Sequence, residues 1–409
     1  MNKCARFNFV FILVALAVLC AIAVQPAKAS GDFWVERAPM PNSQIFLGAV
    51  TIERKIFVIG SNYTVASNSN YMYDPQTNTW APKTPMTLYR GDFAVAAYHG
   101  KVYVMGGFTG TSPQFIPTLT AANEMYDPAT DTWTNKTSLP KAAGFLEAVT
   151  INEKIYVMGG GAYNGTAYDI NGTNEVYDPV SDSWQPLASM LTPVFNFAMT
   201  AIGDKIYVMG GMSGRLNGLT IHSNQTQIYD IQTNKWTFGH SMPITTFSSA
   251  AAVTTGVLAP VRVYYIGGTD ETTWAHTNTG PSPTQIYDPQ TDSWSTGASV
   301  PTPRESGSAL AVVNDTVYAI GGYDGTSESP VNEQYFPSDY TGSMPSQLPS
   351  PTQTLSLSPT ASPSLSPSPS VSSENNTVPL NISTPVIVAI AVTVVAVVTI
   401  TLIVKKRSK

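Results

Sequence analysis

The chain has 409 residues, 43% of them hydrophobic and 12% charged, with 27 acidic against 21 basic side chains. That surplus of acid argues against nucleic acid as a partner, and two cysteines are too few for a disulfide framework. The length leaves room for one large domain with appended segments.

At the N-terminus, Lys3 and Arg6 precede an apolar run over residues 9–24 and then Ala27-Lys28-Ala29 before Ser30. This order reads as a secretory signal over residues 1–29. Leu19 is bulky for the position before a lipidated cysteine, so cleavage is expected after Ala29 rather than at Cys20. Cys4 and Cys20 both fall within the signal, which leaves the exported chain without cysteine. An exported domain without disulfides depends on its own core, and residues 30–340 are long enough to build one.

Next come Phe33-Trp34-Val35-Glu36 and Ala38-Pro39-Met40-Pro41, and then a pattern that repeats. A strand rich in Val, Ile and Tyr ends in Gly60-Ser61, Gly106-Gly107, Gly159-Gly160, Gly210-Gly211, Gly267-Gly268 and Gly321-Gly322. The first glycines of these pairs lie 46, 53, 51, 57 and 54 residues apart. After five of them a Tyr-Asp pair is followed by Trp, seven residues beyond the Tyr: Tyr73 and Trp80, Tyr126 and Trp133, Tyr177 and Trp184, Tyr229 and Trp236, Tyr287 and Trp294. A period near fifty residues marks an array of one supersecondary unit. Each unit reads as four antiparallel strands: a small apolar strand, the Gly-Gly strand, the Tyr strand and the Trp strand, which is one propeller blade. The glycines suit strand ends where φ turns positive, the Asp residues suit the turns, and Tyr and Trp supply apolar area between blades.

The sixth unit reaches Tyr335 but has no Trp strand of its own. Trp34 lies 46 residues before Trp80 and keeps the period. The expected fold is therefore all-β, a six-bladed propeller over residues 30–340 whose last blade is completed by the N-terminal strand. Closing the ring in this way removes two open sheet edges.

These landmarks resemble the kelch-repeat family over residues 32–340. Local departures are Ser61 for the second Gly, Ile231 for the Pro of Tyr-Asp-Pro, and Phe336 for the Asp after Tyr335. The resemblance implies a propeller whose loops carry recognition, or an extracytoplasmic sugar-acid epimerase like the secreted kelch-type sialic acid epimerases. Copper-radical oxidases on this fold need a cysteine cross-linked to tyrosine, and the exported chain has no cysteine.

Candidate residues follow from what the repeat leaves unexplained. The loops after the Gly pairs (108–122, 161–173, 212–225 and 269–283) vary in length, and such loops are where a rigid scaffold carries recognition. They contain Phe115, Tyr163, Arg215, Trp274 and His276, and Trp274 stands outside the blade pattern. Glu147 occupies a first-strand position filled by Gly48, Ala94, Ala198 and Ala309 in other units. With Arg90 or Arg304 pointing into the same channel it would form the catalytic alternative; otherwise it is a solvated channel residue. Glycosylation triplets occur at Asn62, Asn135, Asn164, Asn171, Asn224, Asn314, Asn375 and Asn381. The Asp pairs 127/131, 178/182 and 288/292 read as turn residues rather than calcium ligands. The four histidines lack ligand spacing, so neither a metal nor a cofactor is expected.

Composition then shifts to Ser, Pro and Thr over 341–384, a stalk expected to stay disordered. Residues 385–404 are expected to form one transmembrane helix, with 386–404 uncharged, before the basic tail 405–409. The basic tail orients the propeller to the outside. Outside the signal and tail, 14 basic residues face 27 acidic ones. The expected partner is an extracellular protein or glycan, with the membrane reached through the C-terminal helix. Protease added to intact cells should release a soluble domain and leave a small membrane stub; protection of the whole chain would refute this topology.

Overall fold

The computed structural model describes residues 31–344, apart from 62–66, 110–117, 164–167, 217–218, 270–281 and 305–306. The signal, stalk, membrane segment and tail expected from the sequence lie outside the described residues. Among those described, the chain is all-β, and no helix is long and apolar enough to cross a membrane.

Six sheets carry four antiparallel strands each in a simple meander. The first contains Ile45–Ile52, Lys55–Ser61, Ser69–Asp74 and Thr79–Pro82; the second Ala94–Tyr98, Lys101–Met105, Asn123–Asp127 and Thr132–Lys136. The third contains Gly144–Ile151, Lys154–Tyr163, Asn174–Asp178 and Ser183–Pro186, with Tyr168–Ile170 added beside its second strand. The fourth contains Ala198–Ile202, Lys205–Met209, Thr226–Asp230 and Lys235–Gly239; the fifth Ala250–Val253, Val263–Ile266, Ser282–Asp288 and Ser293–Val300. In the sixth, Ala309–Val313, Thr316–Ile320 and Asn332–Phe336 are joined by Phe33–Arg37 from the other end of the chain. Trp34 pairs with Tyr335 in this ladder, just as Trp80 pairs with Tyr73.

First strands of successive sheets touch one another, and that of the sixth touches that of the first. Apolar side chains fill the space between neighbouring sheets. Between the third and fourth these include Met158, Phe197, Met199, Tyr229 and Trp236. Each such burial contributes about 1.5–3 kcal/mol, and the cores have no need of disulfides. The Gly-Gly pairs sit where chains crowd. Gly107 has φ +99°, and a Cβ there would lie 2.7 Å from the carbonyl oxygen of Gly91.

One device recurs at every sheet junction. Tyr126 donates its hydroxyl to Asp131 at 2.6 Å, and the same Asp131 oxygen accepts the Thr84 backbone N–H at 2.9 Å. The Trp133 indole N–H donates to the Thr84 carbonyl at 2.8 Å. Thus one residue leaving the preceding sheet is held at both its N–H and its C=O. Asn78 and Trp80 hold Ala38, Asp182 and Trp184 hold Thr137, Asn234 and Trp236 hold Ala188, and Asp292 and Trp294 hold His240. Asn78, Asp131, Asp182, Asn234 and Asp292 all have φ near +50°, a conformation that Asn and Asp tolerate best among residues with an acceptor. The second Asp of each pair is therefore more than a turn residue, since it crosses to the neighbouring sheet. The first Asp does cap its turn, as Asp127 accepts the Ala129 N–H at 3.0 Å. Asp127 also pairs with Lys101, as Asp74 does with Lys55 and Asp178 with Lys154.

The sixth junction takes its acceptor from the N-terminus. Asp32 receives the Tyr335 hydroxyl and the Ala298 N–H, while the Trp34 indole donates to the Ala298 carbonyl at 2.9 Å. A second lock lies nearby. The buried Asp315 carboxylate accepts the backbone N–H groups of Thr255, Val257, Leu258 and Ala259 and the Thr255 hydroxyl. Leu258 and Ala259 pack with Phe33, Val35, Phe336 and Tyr340, tying both ends of the domain together.

Two predictions follow from these locks. Asp32→Ala should expose the N-terminal strand to proteolysis and cost about 1–3 kcal/mol, because the Ala298 N–H and Tyr335 hydroxyl lose their acceptor; unchanged stability would contradict the role given to Asp32. Asp315→Asn should destabilise by about 3 kcal/mol at neutral pH. The hydrogen bonds hold the Asp315 carboxyl below its usual range even though burial opposes them. Its contribution is therefore present above the ordinary carboxylate pKa and disappears as pH falls through the lowered one. Melting curves of the two proteins should converge on acidification.

Candidate functional site

Because the strands alternate in direction, the hairpins joining first to second and third to fourth strands lie at one end of each sheet. The loops after the Gly pairs and the sheet-to-sheet connections lie at the other. Extra ladders build up that second end: Phe108–Thr109 with Thr118–Leu119 and Arg90–Gly91, and Met212–Leu216 with Leu219–His222.

Residues of all six first strands, or just before them, line a central cavity of about 340 Å³. Just inside this face each sheet contributes one residue with left-handed backbone: Phe46, Asp92, Phe145, Asn196, Ser248 and Gly307. Backbone bonds cross between them, from Phe46 N–H to the Gly307 carbonyl at 3.0 Å and from Phe145 N–H to the Asp92 carbonyl at 2.8 Å. Five of the six positions hold a non-glycine residue in a conformation that costs about 1 kcal/mol or more, which the surrounding ring imposes. Two residues further on, the equivalent positions are Gly48, Ala94, Glu147, Ala198, Ala250 and Ala309.

Glu147 lines this cavity, as expected of a channel residue, but it is not alone there. Asp92 lines it too, and neither carboxylate has a hydrogen-bond or ion-pair partner among the described residues. Burial pushes Asp92 up to about 8. Burial, and behind it the charge of Asp92, pushes Glu147 up to about 8. The described lining contains no Lys, Arg or His.

Arg90 and Arg304 do not point into the cavity, contrary to the expectation for a catalytic site. Both are fully buried within their own sheets. Arg90 donates to the carbonyls of Gly106, Ala122 and Val104 and to Glu124 at 2.7 Å, and Glu124 in turn accepts the Thr87 N–H at 3.1 Å. Arg304 donates to the Gly321 carbonyl and to Glu333 at 2.8 Å, and Glu333 accepts the Thr302 hydroxyl at 2.9 Å. In the fourth and fifth sheets the corresponding residue is neutral: Gln227 holds Thr192 and Gln285 holds Ile244. In the second and sixth sheets an arginine therefore accompanies the glutamate, since a buried carboxylate needs a counter-charge. The half-buried Glu175 of the third sheet has no such arginine among the described residues, and burial pushes its carboxyl up. Among the described residues, neither Arg90 nor Arg304 pairs with Glu147, so these two do not supply the arginine of the epimerase alternative.

Other sequence candidates are distributed as follows. Tyr163 lies in Lys154–Tyr163 and Arg215 in Met212–Leu216, both reaching the loop face. Phe115, Trp274 and His276 lie outside the described residues, as do Asn62, Asn164, Asn375 and Asn381. Asn135 is exposed on the outer strand of the second sheet and Asn314 in a hairpin turn at the opposite end from the loop face. Asn171 and Asn224 are half-buried, and the Asn224 amide donates to the Met242 carbonyl at 3.5 Å. No cluster of three metal-ligating side chains occurs among the described residues. Asp92 escaped the sequence reading because it immediately precedes a strand and its left-handed backbone is not written in its neighbours.

Residues 93–322 match the family described as the KLHDC2/KLHL20/DRC7 Kelch-repeats domain, and residues 46–87 match a Kelch motif. The chain belongs to the kelch-repeat family. Among curated proteins, this kelch-repeat chain is 26% identical to human Kelch-like protein 23 over 303 residues, covering 72% of the chain and 49% of that protein. It is 27% identical over 304 residues to Kelch-like protein terF of Aspergillus terreus, covering 71% and 63%. The kelch-repeat region therefore spans about half the length of the first of these relatives. A solved structure titled "Structure of YjhT" superposes with a TM-score of 0.59 at 16% identity, covering 72% of this chain and 95% of that one, a likeness of fold alone.

Glu147→Gln should raise the melting temperature at pH 9 and have little effect at pH 5. A carboxyl whose folded pKa is raised costs nothing below its unfolded pKa, and the penalty grows as pH rises to about 8. An equal effect at both pH values would contradict the burial of this charge.

Proposed function

We propose that the chain is a closed six-bladed kelch propeller, displayed outside a membrane by its C-terminal segment, that binds a protein through the loop face. The N-terminal strand acts as the clasp. Six sheets, contacts between their first strands around the whole set, and the shared Asp32–Tyr335–Trp34 junction support this architecture.

The observation that carries the binding reading is where large apolar side chains are left in water. Among the described residues, Leu88, Tyr89, Leu191, Ile221 and Ile244, exposed between 36% and 57%, lie at the loop end of their sheets, whereas Val180 and Val257 stand singly in hairpins at the other end and Phe238 on an outer strand. Leu88, Tyr89, Leu191 and Ile244 stand on sheet-to-sheet connections, next to the cavity mouth in sequence and topology. Apolar residues gathered on one face of a soluble domain mark an interaction surface more often than singly scattered ones do.

Display rests on sequence: the signal over 1–29, the stalk over 341–384 and the uncharged run over 386–404. Exposure of Asn135 and Asn314 fits them as glycan acceptors on an exported surface.

The test is proximity cross-linking on intact cells, followed by mass spectrometry, with the wild type beside Tyr89→Ala/Leu191→Asp. The double variant should keep its melting temperature and lose at least about tenfold of the specifically cross-linked partner, as expected for loss of interface anchors. Equal recovery would remove the loop face as the binding surface.

A further inference from the structure

Resting on that binding reading, we infer that the cavity mouth receives a basic side chain, a lysine or arginine of the bound protein, between Asp92 and Glu147. Charge complementarity inside an apolar rim favours this occupant. Two carboxylates line one cavity without a partner of their own, and the described lining supplies no cation. Among the described residues, the three fully buried carboxylates all have partners, whereas Asp92 and Glu147 are half-buried and face the cavity. Arg90 neutralises Glu124, Arg304 neutralises Glu333, and Asp315 takes five hydrogen bonds. In the cavity, two carboxylates of one lining have no cationic complement among the described residues.

Nearby cations are already committed. Arg90, two residues from Asp92, turns its guanidinium into the second sheet. Lys141, on the connection leading to the third sheet, pairs with Asp169 at 3.6 Å. The facing first strands contribute only Gly, Ala, Val, Leu, Met, Phe, Ser, Thr and Asn to the described lining, so burial, and for Glu147 also the charge of Asp92, governs both carboxyls. Gly48, Ala250 and Ala309, small residues of the cavity lining, leave the central space into which a long, thin basic side chain fits. Phe46 and Phe145 stand at the mouth, where aromatic rings favour a cation.

This arrangement couples binding to protons. Both carboxyls are pushed up to about 8, so near neutral pH the empty cavity holds protons on the pair. Entry of an ammonium or guanidinium group favours the ionised forms, and the protons pass to water. Affinity should therefore rise with pH through that range, the reverse of what a neutral apolar group would show.

The experiment uses the full chain in detergent micelles and two probes, Nα-acetyl-lysine methylamide and its neutral isostere Nα-acetyl-norleucine methylamide, followed by ligand-observed NMR. The lysine probe should bind at least about tenfold more tightly at pH 9 than at pH 6, a difference of about 1.4 kcal/mol. Glu147→Gln and Asp92→Asn, each checked by melting temperature, should abolish that pH response. Equal binding of the norleucine probe, a response unchanged in both variants, or no binding of the lysine probe at pH 9 would overturn the inference. Its failure is distinguishable from that of the wider reading. If Tyr89→Ala/Leu191→Asp loses its cross-linked partner while the lysine probe shows no pH response, the face binds protein without a basic anchor. If the probe responds but the rim substitutions leave the partner unaffected, the mouth stands and the rim does not.

Discussion

Everything in this domain depends on one arrangement of hydrogen bonds at the sheet junctions. A tyrosine hydroxyl orients an Asp or Asn oxygen, that oxygen takes a backbone N–H from the preceding sheet, and a tryptophan indole takes the carbonyl of the same residue. Each bond has a modest net value, about 1 kcal/mol, and the set repeats at every junction, so the bonds act together. Apolar packing supplies the bulk of the energy between sheets without fixing their angle. The junction bonds supply direction, and the same three groups recur from one junction to the next. At the last junction the same chemistry is assembled from Tyr335 and from Asp32 and Trp34 at the other end of the chain.

The domain treats buried charge with two different logics. Inside the sheets, glutamates that hold a connecting segment are paired with arginine, and where the holder is glutamine no arginine is needed. Taking a charge out of water is costly, and an internal partner offsets much of that cost. In the central cavity the same cost is left standing on Asp92 and Glu147. A stable fold alone would place alanine or glycine at position 147, as five of the six equivalent positions do. The cavity therefore trades stability for chemical character, and it does so beside the loop face, where Leu88, Tyr89, Leu191 and Ile244 are exposed.

Much of this was legible in the sequence because repetition turns weak local signals into a strong one. Any single Gly-Gly or Tyr-Asp pair means little, but six copies near a fifty-residue period specify strand order, strand length and the shared role of each Trp. The place of Trp34 in the last sheet could be read from the same spacing. Site residues were less legible, because they are departures from the repeat. Glu147 stood out as a carboxylate among small residues, whereas Arg90 and Arg304 looked like channel residues and are not. Their direction depends on whether Glu or Gln stands on the third strand of the same sheet, 34 and 29 residues later.

The amino-acid sequence by itself determined the all-β class, the four-strand unit, the number of repeats and the residues that mark them. Those features are set by local periodicity and turn chemistry, which act over a few residues and are written in order along the chain. Only the tertiary structure decided that Asp131, Asp182 and Asp292 reach across to another sheet, that the two arginines turn inward, and that Asp92 meets Glu147 in one cavity. Each of these depends on how sheets about fifty residues apart are brought edge to edge, and a side chain's environment there is supplied by neighbours that its own stretch of sequence does not contain.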